Sequence, residues 1–267
     1  MGEVITFTSG KGGVGKTTTT ANVGVGLSLL DKKVVLVDTD IGLRNLDVVM
    51  GLENRILYNL VDILCGRCRM RQALIRDKRY PNLWIIPSSC AKPASNQLST
   101  EQMRDLLSDL REEFDYVLVD SPAGIDDGFS LATTYADRIV VVTTPQISAI
   151  HDADCVLNIL KRGKCKNIQV LINCFRRQMV KDGNMLDVAD IRDLLDAELL
   201  GVILEDENVI IAQNHGEPIM GKHSVAEQCY CNVARRISGE KLEIPNYTRR
   251  IGFFAKWFAA ESAGKQV

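Results

Sequence analysis

The sequence lacks the features that mark membrane-spanning and secreted proteins. Its 267 residues contain no apolar run of roughly 18 residues, and its first residues carry neither the basic nor the apolar part of a signal peptide. It also lacks a strong net charge, because 32 Lys and Arg stand against 34 Asp and Glu, so the whole molecule has no general attraction to nucleic acids. These absences favour a cytoplasmic globular protein.

Histidines are few, and no nucleophile motif accompanies the acidic residues. Only His151, His215 and His223 are present, so covalent catalysis through a Ser–His or Cys–His pair has no support. Internal repeats and Pro-rich or Gly/Ser-rich linkers are absent as well. We therefore expect one main domain rather than two small ones.

Short β-branched runs alternate with helical patterns along the chain. The runs that predict strands cover residues 4–8, 33–37, 83–86, 116–119, 139–143, 168–172 and 199–203. The clearest helical patterns cover residues 17–30, 100–113, 148–161 and 185–196, and Ser99 and Gln102 have the spacing of a capping box. The alternation predicts an α/β fold: a doubly wound, mostly parallel sheet flanked by helices, with its ligand at the carboxyl ends of the strands.

A phosphate-binding loop follows the first predicted strand. Residues 10–17 match the motif G-x-x-x-x-G-K-[ST] between a strand and a helix, which is the context that this motif requires. Lys16 is expected to reach the β- and γ-phosphates, Thr17 to ligate Mg²⁺, and Thr18 to donate to the α-phosphate. The backbone N–H groups expected to surround the phosphates belong to Gly10, Lys11, Gly12, Gly13, Val14 and Gly15.

Carboxylates follow two of the predicted strands, at the edge where such a sheet binds its ligand. Asp120 fits the Walker-B acid that holds Mg²⁺. Asp38 is expected to support either the Mg²⁺ shell or the loop that follows it, and Asp40 is the better candidate for orienting the attacking water. Each acid has the alternative role of an ordinary turn residue.

Residues 11–18, 37–47 and 120–125 resemble the MinD/ParA family of ATPases, whose phosphate loop is a deviant Walker A motif. The resemblance implies that Lys11 reaches across a nucleotide-sandwiched homodimer to the partner's phosphates. It also implies that Asp40 positions the water and that Asn173 contacts adenine. The implied cofactors are ATP and Mg²⁺, with hydrolysis to ADP and phosphate. Residues 42–47 and 121–128 are candidate switch loops that sense the γ-phosphate.

Residues 246–267 differ in kind from the rest of the chain. On a helix Ile251, Phe254, Trp257 and Phe258 would share one apolar face, and basic residues flank it: Arg249, Arg250 and Lys256. This pattern predicts a helix that lies on an anionic membrane surface, although such a helix could instead pack on the protein's own core. The chain would then consist of an ATPase domain, 1–245, and a membrane-targeting segment, 246–267, and would be peripheral on the inner face of the cell membrane.

The resemblance further implies a function in placing the division site. The ATP-bound homodimer would recruit a MinC-like septation inhibitor and respond to a MinE-like or other topological activator, with no specific nucleic acid as partner.

Two alternatives remain open at the level of the sequence. An iron–sulfur carrier ATPase would use paired thiols, for which the chain offers Cys65, Cys68, Cys229 and Cys231. A ParA-type DNA-segregation ATPase would need a basic patch, for which the candidates are Arg176, Arg177, Lys181, Arg235 and Arg236.

Overall fold

An eight-stranded sheet forms the middle layer of the structure, a computed structural model that describes residues 1–91, 98–163, 165 and 167–245. The strands are β1 (Glu3–Thr8), β2 (Val34–Asp38), β3 (Ile75–Arg76), β4 (Leu83–Ile86), β5 (Tyr116–Asp120), β6 (Arg138–Thr143), β7 (Ile168–Phe175) and β8 (Glu198–Leu204). Their order across the sheet is β3-β4-β2-β5-β1-β6-β7-β8. β3 pairs antiparallel with β4, and the other pairs are parallel.

The seven predicted strands are all confirmed, with boundaries that differ by a few residues at most. They were recognisable because helices cover both faces of a parallel sheet, so the strands are nearly continuous apolar runs. The strand that the sequence did not predict is β3, which has only two residues and is therefore too short for any hydrophobic period.

Helices lie on both faces of the sheet. In the described part of the chain the α-helices are α1 (Lys16–Leu29), α2 (Leu46–Val49), α3 (Leu60–Leu64), α4 (Met70–Ala73), α5 (Thr100–Glu113), α6 (Asp127–Thr133), α7 (Ile147–Arg162), α8 (Arg177–Lys181), α9 (Val188–Leu195), α10 (Glu207–Asn214) and α11 (Val225–Ile237). The predicted capping box of α5 is confirmed: the Gln102 N–H donates to Ser99 Oγ, and the Ser99 N–H donates to Gln102 Oε1.

The core is divided by the sheet into two sides. α1 and α11 pack on one side, where Ile5 of β1 points, and α5 packs on the other, where Val4 points. α7 and α9 extend this second side over β6 to β8. α1 and α11 touch closely, since a Cβ built on Gly26 would lie 2.9 Å from the Ala234 Cβ. This contact holds the helix that follows the phosphate loop firmly against the sheet.

The predicted membrane-targeting residues, from Arg249 to Phe258, lie outside the described residues, so the division of the chain at residue 246 stays a prediction. No helix within the described ranges combines the length and the apolar character needed to cross a membrane.

Candidate nucleotide site

The loop between β1 and α1 has the conformation of a phosphate-binding turn. Gly13 and Gly15 have φ values of 81° and 86°, in the left-handed region that favours glycine. A Cβ built on Gly12 or Gly13 would meet no atom within 4 Å, so this side of the loop is open to a ligand. A Cβ on Gly15 would lie 2.1 Å from Asn173 Nδ2, so the base of the loop is closely packed.

Three polar side chains contact the Asp120 carboxylate behind the loop. It lies at the end of β5, is 1% exposed, and pairs with Lys16 at an Nζ–Oδ1 distance of 2.8 Å. The Thr17 hydroxyl donates to Asp120 Oδ2 at 2.7 Å, and the Thr20 hydroxyl lies 3.1 Å from Oδ1. A hydroxyl beside a carboxylate is the oxygen donor set that Mg²⁺ prefers, so Thr17 and Asp120 fit this metal. Sequence reasoning missed Thr20, although it lies one helical turn after Lys16.

Asp38 stands directly beside Asp120, because the two residues are partners in the register of β2 and β5. Its Oδ1 accepts the Asp40 N–H at 2.9 Å, and its Oδ2 accepts the Leu46 N–H at 3.2 Å. Asp38 therefore holds both ends of the loop 40–46. Burial and the negative charge of Asp120 raise the pKa of Asp38 to about 7. Of its two predicted roles, the structure contains the loop contact, and the Mg²⁺ contact stays a prediction.

A cavity of about 720 Å³ opens in front of these acids. Its wall includes residues from several elements: Lys16, Thr17 and Thr18 at the start of α1, Asp40 and Leu43 after β2, Pro122 after β5, Asn173 near the end of β7, Asp206 after β8 and Gln213 of α10. The sequence-predicted residues Asp40 and Asn173 are thus brought to one cavity although they lie far apart in the chain. Its volume suits a ligand of nucleotide size.

The Asn173 side chain is hydrogen-bonded to the phosphate loop. It is 6% exposed, and its Nδ2 donates to the Val14 carbonyl at 2.8 Å. The next residue, Cys174, has a φ of 53°, and the pairing of β7 with β8 is irregular at this point. Asn173 therefore positions the loop as well as lining the cavity, and its contact with adenine stays a prediction.

The two lysines of the loop occupy different environments. Lys16 is 6% exposed and neutralises Asp120, whereas Lys11 donates from Nζ to the Ser148 hydroxyl of α7 at 3.1 Å in an exposed hydrogen bond. The Lys11 ammonium therefore lies at the molecular surface, free of the buried charge cluster. The predicted contact of Lys11 with a partner subunit is not tested by a single chain.

Two further residues that sequence reasoning missed connect α10 and the segment after it to the start of α1. The Gln213 side-chain amide donates to the Thr18 hydroxyl. Asn22 Nδ2 donates to the Thr18 carbonyl at 2.8 Å, and Asn22 Oδ1 accepts the Ile219 N–H at 2.8 Å. Since Gln213 and Thr18 are 195 residues apart, no local spacing in the sequence signals their contact.

The residues behind the two alternative functions all lie within the described part of the chain. Among the described residues no group of three or more His, Cys, Asp or Glu side chains is arranged to hold a metal ion, so the four paired cysteines do not meet in one chain. In the candidate basic patch, Arg176 pairs with Glu205 and Arg235 pairs with Glu240. Arg236 donates to the carbonyls of Leu242 and Glu243. These arginines serve local contacts within the chain.

Comparison with known proteins gives one consistent result. A family model described as an AAA domain matches residues 2–172. The septum site-determining protein MinD of Bacillus subtilis is 48% identical over 248 residues, which cover 91% of this chain and 92% of that protein. A chain of the MinC:MinD cell division protein complex of Aquifex aeolicus has a TM-score of 0.85 and 43% identity, covering 92% of this chain and 100% of its own. MinD of Pyrococcus horikoshii complexed with Mg-ADP has a TM-score of 0.81 and 27% identity, and the match covers 90% of this chain and 97% of that one.

Proposed function

The chain belongs to the MinD family of septum site-determining proteins, and on this premise we propose that it is an ATPase that dimerises with ATP, binds the membrane in that state and regulates placement of the division site. The observation that carries the proposal is the pair of lysines in one phosphate loop. Lys16 is buried at Asp120, whereas Lys11 is half-buried and donates to Ser148 in an exposed hydrogen bond. In this proposal Lys16 serves the chain's own nucleotide, and Lys11 serves the nucleotide of a partner subunit.

The buried cluster supplies most of the machinery for phosphoryl transfer to water. When ATP enters, Lys16 exchanges Asp120 for the β- and γ-phosphates and neutralises charge that develops on them. Asp40 orients a water molecule whose oxygen forms a bond to the γ-phosphorus while the bond from that phosphorus to the β–γ bridging oxygen breaks. The water's proton passes to a phosphate oxygen, and ADP and inorganic phosphate leave. Thr17 and Asp120, with Asp38 beside them, would hold Mg²⁺, which when bound neutralises phosphate charge.

The surface lysine couples hydrolysis to dimerisation. Lys11 of one subunit would approach the γ-phosphate held by the other, and a cation supplied in this way accelerates phosphoryl transfer strongly. The loop 40–46, held at both ends by Asp38, is suited to sense the γ-phosphate because it also carries Asp40. Loss of phosphate would then release the loop and the dimer interface together.

Dimerisation would in turn control membrane binding. Interfacial insertion of one short amphipathic segment is marginal, whereas two segments on one dimer raise the avidity by about 10²–10⁴-fold. The protein would therefore be cytoplasmic after hydrolysis and peripheral on the inner face of the cell membrane when bound to ATP. By analogy with the Aquifex complex, its partner would be a MinC-like septation inhibitor. A MinE-like or other topological activator would stimulate hydrolysis.

Three measurements on one set of variants test the proposal: ATP hydrolysis, dimer formation by light scattering, and sedimentation with anionic vesicles. Wild-type protein should dimerise and sediment with a non-hydrolysable ATP analogue but not with ADP. Lys16→Ala and Lys11→Ala should each abolish both effects. Lys33→Ala, which removes an exposed lysine at the opposite end of the sheet, is the matched control and should behave as wild type.

Equal sedimentation with ADP and with the ATP analogue would contradict nucleotide-controlled membrane binding. Dimers of normal affinity in Lys11→Ala would contradict the role of Lys11 in the partner's site.

A further inference from the structure

A second polar cleft lies at the end of the sheet opposite to the nucleotide site. It is lined by Arg55, Arg76, Asp77, Lys78 and Pro81 and has a volume of about 380 Å³. These residues include the turn that precedes β4, at the amino ends of the parallel strands, whereas the phosphate loop follows the carboxyl end of β1. The cleft is therefore separate from every residue assigned to ATP hydrolysis.

The segment of the chain that supplies the cleft residues is basic although the whole chain is slightly acidic. Residues 53–80 contain seven Lys and Arg against three Asp and Glu, in a chain of net charge −2. The carboxylate in the cleft wall, Asp77, is 2% exposed and is already paired with Arg79 at 2.8 Å. Arg55, Arg76 and Lys78 are exposed, and none of them has an ion-pair partner among the described residues. Three positive charges thus face the cleft without an acidic counterpart.

The two guanidinium groups are held in place by main-chain carbonyls. Arg55 Nη1 donates to the Arg76 carbonyl at 2.9 Å, and Arg76 Nε donates to the Pro81 carbonyl at 2.8 Å. Arg76 also lies over the Trp84 ring, 5.2 Å from its centroid. Each guanidinium has five N–H donors, so most of them remain available to a ligand. Because guanidinium groups match phosphate oxygens in geometry, a phosphate group is the ligand that such an arrangement fits.

We propose that this cleft binds the phosphate group of an anionic membrane lipid, a second membrane contact that rests on the membrane association proposed above. Leu57, two residues beyond Arg55, is 87% exposed. An exposed leucine next to a group of cations is typical of surfaces that insert into the boundary between headgroups and acyl chains. A duplex nucleic acid, in contrast, is commonly held by about 6–10 phosphate contacts spread along a stripe.

The position of the described C-terminal residues also favours a lipid surface. Arg236, near the end of α11, donates to the carbonyls of Leu242 and Glu243 at 2.9 Å and lies 3.4 Å from that of Leu200, at the amino end of β8. The described chain therefore ends, at residue 245, close in sequence to contacts at the same end of the strands as the cleft, on the opposite edge of the sheet. A bilayer that faces this end of the strands would meet the cleft.

The test compares vesicle binding by full-length variants in the presence of the ATP analogue. The cleft variant combines Arg55→Gln, Arg76→Gln and Lys78→Gln, and Lys78→Gln alone is the variant that disturbs no side-chain hydrogen bond described here. Vesicles of phosphatidylglycerol and phosphatidylcholine should bind Lys78→Gln about fivefold more weakly than wild type, and the triple variant more than about tenfold more weakly. Lys33→Gln, which removes an exposed charge at the same end of the strands, should bind as wild type.

Further measurements with the same variants identify the ligand of the cleft. The variants should retain wild-type ATP hydrolysis without vesicles, and binding to pure phosphatidylcholine vesicles should not differ among them. Unchanged affinity of the triple variant for anionic vesicles would overturn the proposal. So would a loss of free glycerol phosphate binding with vesicle binding unchanged, or a loss of duplex DNA binding instead of vesicle binding. Wild type could also bind vesicles equally with ADP and the ATP analogue while the cleft variants bind weakly. That result would support lipid binding by the cleft and contradict nucleotide control of membrane binding.

Discussion

Two carboxylates and one ammonium are buried together behind the phosphate loop. Lys16 pairs with Asp120, and Asp38 lies beside them, bound by two backbone N–H groups and without an ion pair of its own in the described part of the chain. This arrangement leaves negative charge where a metal ion and a polyphosphate are expected to bind. The charge balance of the free protein is therefore incomplete at the residue level, and the nucleotide complex would complete it.

The raised pKa of Asp38 predicts a pH-dependent stability of the nucleotide-free protein. Because burial and Asp120 raise this pKa from 3.8 to about 7, the folded protein binds the proton more tightly than the unfolded chain does. The stabilisation from this group is full below about pH 4 and is lost as the pH rises to about 7. Relative to Asp38→Asn, wild type should therefore lose on the order of 4 kcal/mol of unfolding free energy across that range, measured by urea titration. A difference that does not vary with pH would contradict this.

The phosphate loop contains two glycines that should respond differently to alanine. Gly15→Ala introduces a Cβ at a φ of 86° and only 2.1 Å from Asn173 Nδ2, so it should destabilise the free protein by about 1–3 kcal/mol and prevent nucleotide binding. Gly12→Ala places its Cβ in open space and should change the stability by less than about 0.5 kcal/mol. Denaturant unfolding without nucleotide compares the two, and equal losses of stability would argue against the packing at Gly15.

Most of the residues in this site were predictable from the sequence because a motif of fixed spacing contains them. Lys16, Thr17 and Asp120 are brought together as expected. The contacts of Asn173 with Val14 and of Gln213 with Thr18 were not predictable, since each joins residues more than 150 positions apart. Such contacts depend on how the loops after β7 and β8 pack, and short-range patterns carry no information about that.

At the scale of elements, the β3–β4 hairpin ties together α2 and the end of α10. Arg79, in the hairpin turn, donates to the Met50 carbonyl at 2.6 Å and to the Gly216 carbonyl at 3.3 Å while it pairs with Asp77. Gly51 and Gly216 pack backbone to backbone beneath it, because a Cβ on Gly51 would lie 2.5 Å from the Gly216 carbonyl oxygen. The element next to a candidate switch loop is thereby joined to the helix that contacts Thr18.

Arg79→Met should therefore cost more stability than the loss of an ordinary surface ion pair. It leaves Asp77, which is 2% exposed, without its cation and removes two bonds between elements, so we expect a loss of about 2–3 kcal/mol. Arg104→Met, which removes an exposed pair with Asp105, should cost less than about 0.5 kcal/mol. Thermal and urea unfolding measure the loss of stability in both variants. If the two substitutions cost the same, Arg79 does not join these elements in the way inferred.

Addition of Asp77→Asn to Arg79→Met provides a control for the buried charge. The double variant should regain part of the lost stability, because a neutral amide is less costly to bury than a carboxylate. Failure of the double variant to recover would indicate that the bonds to Met50 and Gly216 account for the whole effect.

At the scale of the whole molecule, the nucleotide site opens at one end of the sheet and the cationic cleft lies at the other. The proposed dimer would use the first end, and the proposed lipid contact would use the second. The net charge of −2 conceals this arrangement, because the segment 53–80 is strongly basic while the remainder compensates for it. A near-neutral chain can therefore present a membrane-binding surface.

Mixed dimers provide a test of the proposed exchange of Lys11 between subunits. Lys11→Ala should lower hydrolysis by about 10³-fold, and Asp40→Ala should abolish it in its own site. A mixture should regain part of the activity, because the Asp40→Ala subunit supplies Lys11 to the intact site of the Lys11→Ala subunit. The control mixture replaces Asp40→Ala with the double variant Lys11→Ala, Asp40→Ala and should stay inactive. If mixed dimers form in the first mixture, as light scattering would show, and it is still inactive, Lys11 acts within its own chain.

The sequence by itself determined the fold class, seven of the eight described strands, the phosphate loop and the acids at the strand ends. It could do so because hydrophobic periodicity and motif spacing are local properties of the chain. Only the tertiary structure decided that Asp38 and Asp120 are neighbours, that Gln213 and Asn173 fasten the phosphate loop, and that Arg55, Arg76 and Lys78 form one cleft. These are contacts between distant segments, and they arise only when strand order and helix packing bring those segments together.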